Sequence, residues 1–448
     1  MILFNQESGA SKKRMVAVCF YFEVHQPYRL KNYHVFDIGN NSNYFDDKKN
    51  KEVMEKVTNK CYIPMTNLLL EMINNSNKKF KCAFSITGTA IEQFESYAPQ
   101  VIENFKKLAK TGCVEFLSET YYHSLSFLYS KDEFKEQVRL HEKKMKELFG
   151  VVPKIFRNTE LIFNNEIAMV LKDMGYIGVL AEGADHVLDW RSPNYLYHSV
   201  SAPDLPLLLK NYKLSDDIAF RFSNKEWEEF PLTVPKYVDW INKVNGGGDV
   251  INLFMDFETF GEHQWEDTGI FDFMRALPNS VLSYSDNCFM TPSEVVDAFP
   301  LRAELDIHNP VSWADMERDL SAWRGNKIQD SSLKKIYDLE VDVKLTHDKK
   351  LLKDWRMLTT SDHFYYMCTK WFNDGDVHKY FSPYESPYEA FIAFMNVMKD
   401  IKFRIDKHFN NVKELLKEEN VISAKTKNSK IKGKNINLEV KGAKTIIM

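Results

Sequence analysis

The sequence has no Cys-x-x-Cys pair. Its six cysteines, at Cys19, Cys61, Cys82, Cys113, Cys288 and Cys368, are scattered along the chain. That spacing argues against a zinc ribbon and against the disulfide framework of a secreted domain. Several of these thiols sit inside apolar, strand-like runs, where free buried cysteines are expected, and a reducing cytoplasm is the expected location. A strong charge of one sign is also missing. The formal net charge is -4 over 448 residues, so nothing points to nucleic acid as a partner. Long hydrophobic runs are absent too. The early run Val16-Ala17-Val18-Cys19-Phe20-Tyr21-Phe22, behind Lys12-Lys13-Arg14, is too short to span a membrane and lacks a small-residue cleavage site. It reads as a first strand, with no membrane partner expected. There is no internal repeat and no calcium-loop motif, and no metal or other cofactor is expected.

What remains is an ordinary core-forming composition: 44% hydrophobic and 27% charged, with length for two to three domains. Aromatics reach 14%, with 32 Phe and 21 Tyr. They fill cores, and an excess also suits surfaces that stack on sugars. Strand-like runs at 16–22, 80–86, 113–117, 154–157, 177–181, 218–222 and 250–256 alternate with helical patterns near 51–74, 90–110, 131–148 and 165–174. Such alternation implies parallel βαβ units, an α/β fold. Seven strands suit a closed or nearly closed barrel, and an open doubly wound sheet is the other arrangement the pattern allows. The segment 183–216, with Pro193, Pro203 and Pro206, fits neither period. Beyond about residue 290 strand signals fade, and helical patterns near 313–324, 331–345, 347–373 and 386–418 suggest a bundle packed on the barrel. The expected organisation is a tail over 1–15, a barrel over 16–290, a helical bundle over 291–420 and a flexible Lys/Asn-rich tail over 421–448.

Candidate chemistry gathers at strand ends. The run Val250-Ile251-Asn252-Leu253-Phe254-Met255-Asp256-Phe257-Glu258 ends in carboxylates, which is how an α/β barrel delivers catalytic acids. Phe156-Arg157-Asn158-Thr159-Glu160-Leu161 places Glu160 at a matching strand end, with Arg157 able to hold a carboxylate ionised, or else to form a structural pair. Glu160 and Asp256 together fit glycoside hydrolysis, which needs one ionised and one protonated carboxyl group; retaining enzymes hold them roughly 5–5.5 Å apart. Glu258, on the face of Asp256, would raise the pKa of that acid by like-charge repulsion. His25-Gln26-Pro27 follows the first strand directly. Glu115, inside a strand, needs either an ion-pair partner or a role. Glu119 and His123 follow it in a loop that reads equally well as surface. Asp362-His363-Phe364-Tyr365 sets an acid beside aromatics that could pack a core or close over a sugar ring.

These segments, in this order, resemble glycoside hydrolase family 57. His25-Gln26-Pro27 is similar to its first conserved region, Gly112 to Leu117 to the second and Phe156 to Leu161 to the third. Met255 to Gly261 and Asp362 to Tyr365 are similar to the fourth and fifth. The forms around Glu119 to Leu125, Phe156 to Leu161 and 313–326 look most like the family's α-amylase branch. The resemblance implies a (β/α)7 barrel, a C-terminal helical bundle and a retaining attack on α-1,4-glucans without calcium. It assigns Glu160 as nucleophile and Asp256 as general acid/base, and gives His25, Glu115, Asp362 and Tyr365 substrate-contacting positions. Glu258 is expected to tune Asp256 or to contact sugar. A 4-α-glucanotransferase shares the same intermediate. A metal-dependent polysaccharide deacetylase would need an Asp with two His ligands, for which His25, His123 and Asp256 are the candidates. A glucan-binding protein without catalysis is the remaining alternative.

Overall fold

The computed structural model describes residues 16–372 and 382–431; the expected tail over 1–15 and the end of the C-terminal tail lie outside them. Ten strands form one sheet: β1 (Val16–Val24), β2 (Cys82–Ile86), β3 (Val114–Phe116), β4 (Ile155–Arg157), β5 (Gly178–Glu182), β6 (Leu196–Ser199), β7 (Ala202–Lys210), β8 (Val250–Asp256), β9 (Asn287–Phe289) and β10 (Leu301–Leu305). Seven of them close a parallel circuit in the order β1-β2-β3-β4-β5-β7-β8 and back to β1. The β3–β4 seam is a bridge between Ser118 and Phe156, with Arg157 N donating to Ser118 O at 2.8 Å. The β7–β8 seam is equally short, Lys210 beside Asn252. This is the expected (β/α)7 barrel, closed at two narrow places.

Alternation along the strands separates two cores. In β1, Val18, Phe20, Phe22 and Val24 face outward into a cluster with the surrounding helices, while Ala17, Cys19 and Tyr21 face inward with Ala83, Leu180, Leu208 and Phe254. The inward series ends in Glu23, and in β8 it ends in Asp256, its partner in register. Thus the same two-residue period that fills the barrel with apolar side chains sets two acids side by side at its C-terminal rim.

The structure departs from the sequence reading in three places. The run 218–222 is not a strand, because the helix Tyr212–Ala219, capped by Asn211, ends inside it and a turn follows; the strand is β7, inside the unassigned segment. Pro203 and Pro206 precede the part of β7 that pairs with β5 (Leu207 to Lys210), so neither removes a donor from that ladder. The sheet also runs past residue 290, since β10 pairs with β6. Finally, most of 313–324 is not helical, because Asp315 and Arg318 adopt φ of 54° and 55°; only Ser321–Arg324 forms a helical turn.

The C-terminal helices share a core around Trp323, Leu333, Ile336, Trp355, Phe394 and Ile401. The helix Pro387–Ile431 extends into the stretch expected to be a flexible tail. Arg356 docks this bundle on the barrel helix Lys131–Phe149 by a two-pronged pair with the fully buried Glu133, at 2.7 and 3.0 Å. A backbone bond from Ser361 N to His123 O, 2.9 Å, then brings the bundle's short helix Ser361–Tyr365 to the barrel rim.

Candidate active site

Strand ends supply the floor of the site. Glu23 and Asp256 lie in register, Arg157 ends β4, Glu182 ends β5 and Lys210 ends β7. Arg157 is fully buried and pairs with Glu23 rather than with Glu160. Loops after the strands add His25, His123 and Glu160, and the bundle adds Ser361 and Asp362. Glu23, Glu119, His123 and Arg157 are buried, whereas His25, Glu160, Asp256, Trp313, Asp362 and Tyr365 remain partly open. The second set is where a substrate could make contact.

Glu160 sits in a turn with φ 59° and ψ 25°, a left-handed conformation that costs a non-glycine residue roughly 1–2 kcal/mol. The turn aims its carboxylate at three donors. Oε1 accepts from His123 Nε2 and from Ser361 Oγ, each at 3.2 Å, and Oε2 accepts from the indole Nε1 of Trp313 at 2.8 Å. Burial alone would raise its pKa. The bond and charge of His123, the charge of Arg157 and the indole donor more than offset this, and Glu160 stays below the ordinary glutamate value, hence ionised.

His123 also has positive φ (50°) and touches three carboxylates: its Nδ1 lies 3.3 Å from Glu23 and 3.4 Å from Glu119, opposite its Nε2 bond to Glu160. Although burial disfavours its charge, these acids push its pKa up to about 10, so it is an imidazolium at neutral pH. Glu23, Glu119 and His123 have the donor types of a metal site and lie close enough to share an ion. Arg157, fully buried and paired with Glu23, already brings a fixed positive charge to this trio, which fits an ion network. His123 was read as an equally good surface residue. It was otherwise named as a candidate metal ligand with His25 and Asp256, within a stretch that resembles the family's α-amylase branch.

Asp256 has the opposite environment. Burial first, and the charge of Glu160 second, raise it to about 6 against the pull of Arg157, Lys210 and His123. Glu258 was expected to tune Asp256 or to contact sugar. Glu258 turns into a short helical turn after β8, where the Tyr62 hydroxyl donates to it, and its own pKa is pushed up to about 8 by burial and by Asp256. Burial and Glu160, rather than Glu258, are the leading causes of the raised pKa of Asp256.

His25 donates from Nε2 to Asp362 Oδ2 at 2.8 Å, accepts at Nδ1 from the Thr87 hydroxyl at 3.0 Å and stacks on His123 with ring centroids 4.0 Å apart. Burial and the neighbouring imidazolium lower its pKa, consistent with a neutral ring. Tyr365 packs on Trp323 one turn from Asp362. Glu115 does not join the group. It points inward as alternation requires, but its carboxylate accepts from the backbone N (2.9 Å) and the hydroxyl of Ser293, at the start of the helix Pro292–Ala298. A helix terminus, not a cation or a sugar, satisfies this half-buried acid. Glu115→Ala is therefore expected to lower stability by about 1–3 kcal/mol, read by thermal melting, with kcat/KM within about twofold of the parent.

The model of Glycosyl hydrolase family 57 matches residues 19–308, more than half of the chain. The chain belongs to that family. A relative from Methanocaldococcus jannaschii, described as "Putative alpha-amylase", is 45% identical over 405 residues, covering 87% of this chain and 84% of the relative. Among solved structures, a 4-alpha-glucanotransferase from Thermococcus litoralis superposes with a TM-score of 0.64 at 16% identity, covering 87% of this chain; the chain spans 60% of that protein's length. A family 57 branching enzyme from Thermococcus kodakaraensis, solved with glucose, superposes at 0.62 with 13% identity, covering 86% of this chain and 89% of the other. At such identity these two share the fold. As a family 57 member the chain is a glycoside hydrolase. Among the described residues no helix is long and apolar enough to cross a membrane.

Proposed function

We propose that this family 57 enzyme hydrolyses α-1,4-glucosidic bonds of starch, glycogen or maltodextrins with retention, Glu160 attacking the anomeric carbon and Asp256 acting as general acid and then base. The observation that carries the reading is the contrast between two partly open carboxyl groups at one barrel rim. Glu160 is ionised among an imidazolium, a guanidinium and an indole N–H. Asp256 has a pKa raised to about 6 by burial and by Glu160. As the glycosidic bond breaks, the Asp256 proton passes to the leaving oxygen while Glu160 forms the glycosyl-enzyme. The Asp256 carboxylate then takes a proton from the water that releases the sugar. With Glu160 esterified, the charge that raised Asp256 is gone, which favours its role as a base. The name of the 45%-identical relative supports α-glucan as substrate. His25, Asp362 and Tyr365, which remain partly open, and the buried Glu258 beyond Asp256 are proposed to hold sugar hydroxyls.

The pH profile tests this. Turnover of free enzyme needs ionised Glu160 and protonated Asp256. kcat/KM is therefore expected to fall as pH rises through about 6, the value of Asp256, and to fall on the acid side as Glu160 gains a proton. An alkaline limb that stays flat to pH 9 would contradict the role of Asp256. Dialysis against a chelator is expected to leave activity unchanged. Loss of activity restored by zinc would favour the metal-dependent alternative. Incubation with maltotetraose is expected to give only shorter sugars, and early longer products would favour transfer to another glucan. The six unpaired cysteines, five of them buried, support a reducing cytoplasm as the place of action.

A further inference from the structure

Beyond the end of the family match at residue 308, the chain crosses back over the barrel rim. Val311 and Phe163 exchange both backbone bonds, at 2.9 and 3.0 Å, and Trp313 N donates to the backbone O of Glu160 at 3.2 Å. The segment 311–319 and the Glu160 turn are thus laced together by three main-chain bonds. The segment then folds on itself. Ser312 N donates to Arg318 O at 3.0 Å, and Arg318 Nη1 donates to Trp313 O at 2.9 Å. Arg318 is in turn clamped at the barrel rim, 3.2 Å from Glu182 and 3.5 Å from Asp216. Asp315 and Arg318 with positive φ give the tight return this closure requires.

The result is an indole with little freedom. Its ring lies 4.9 Å from the guanidinium carbon of Arg157 and 5.3 Å from Lys210 Nζ, and its N–H reaches Glu160 Oε2. The two oxygens of Glu160 are therefore treated differently. Oε1 carries two donors from His123 and Ser361, and Oε2 carries the indole alone.

We infer that Trp313 is a positioning residue for the glycosidase reaction, its N–H fixing the carboxylate plane of Glu160, and that Arg318 holds it there by anchoring the 311–319 strap to the barrel rim. This inference rests on Glu160 being the nucleophile. A carboxylate free to rotate spends less time aligned with the anomeric carbon, a loss that appears in kcat more than in binding. An indole donor also stabilises the charged carboxylate that must be present for attack.

Trp313→Phe keeps the ring and removes the N–H. The expected result is a kcat about 10- to 100-fold lower on maltooligosaccharides, the loss that removing one hydrogen bond to a charged group produces. KM should stay within about twofold, and the acid limb of kcat/KM should move to higher pH because ionised Glu160 has lost a donor. A merely structural indole would not move that limb. Arg318→Met leaves Trp313 in place and frees the strap; it should shift kcat and the acid limb in the same directions by a smaller amount, and it serves as the test if Trp313→Phe does not fold. A kcat within about twofold of the parent with an unmoved acid limb, in whichever folded variant is measured, would overturn the inference. Should Glu160→Gln itself retain turnover, the nucleophile assignment fails. An inactive Glu160→Gln beside a fully active Trp313→Phe overturns the positioning role alone.

Discussion

A Glu160→Gln variant is expected to turn over maltooligosaccharides at least roughly 10⁴-fold more slowly than the parent, with binding largely intact. The glutamine is nearly isosteric, but its single carbonyl oxygen can keep either the His123 and Ser361 donors or the Trp313 indole, not all three. It has neither the charge nor the nucleophilicity to form a glycosyl-enzyme. His123 adds to the effect. Its imidazolium faces three acids, and removing the charge of Glu160 weakens one of its three supports, so its pKa should fall from about 10. The check is steady-state kinetics alongside calorimetric titration of a maltooligosaccharide. Near-parental kcat would remove Glu160 from the mechanism.

Asp256→Asn is expected to cost about 10²- to 10⁴-fold in kcat, the range typical of a lost general acid. The size should depend on the leaving group. An aryl α-maltooligoside with a strongly acidic phenol departs without a proton, so its first step should run at near-parental rate while release of the glycosyl-enzyme becomes slow, visible as a burst of phenol. A natural glucan, whose leaving alcohol must be protonated, should show the full loss. The alkaline limb near pH 6 should vanish in this variant, because the group that titrates there is gone. Equal losses on both substrates with no burst would mean that Asp256 holds structure rather than a proton.

The barrel strands and the two acids were legible because both follow from period and position. In β1 and β8, alternation that fills an apolar barrel leads directly to Glu23 and Asp256 at the same level. Glu23 was not singled out, since it reads as one more residue of an apolar run until its register partner is known. β7 was hidden by prolines that precede its parallel pairing, and a break signal outweighed Leu205, Leu207, Leu208 and Leu209. Glu115 was placed on the correct face, but a strand has two ends, and alternation does not say whether an inward acid meets substrate or the helix terminus at Ser293. The contacts of His123 and Trp313 with Glu160 were not legible in the sequence, for a common reason. The value of these two residues comes from contacts 37 and 153 residues away, closed by left-handed backbone conformations at His123, Asp315 and Arg318 that remain uncommon for any non-glycine residue. A chain segment that a helical pattern claims, and that two positive-φ residues deny to the helix, turned out to carry the donor on the candidate nucleophile.

The most direct test of the two-carboxylate account is azide rescue of Glu160→Ala on an activated aryl α-maltooligoside. Removing the side chain opens room beside the anomeric carbon for a small anion, which can take the place of the missing carboxylate. The account predicts that azide restores turnover and that the product is a β-glycosyl azide, inverted relative to the substrate, formed in one displacement with no glycosyl-enzyme. The corresponding Asp256→Ala variant should instead give the α-glycosyl azide, because Glu160 has already inverted the centre once. Rescue of Glu160→Ala that yields the α-anomer, or full activity of that variant without azide, would contradict the assignment of Glu160 as the nucleophile.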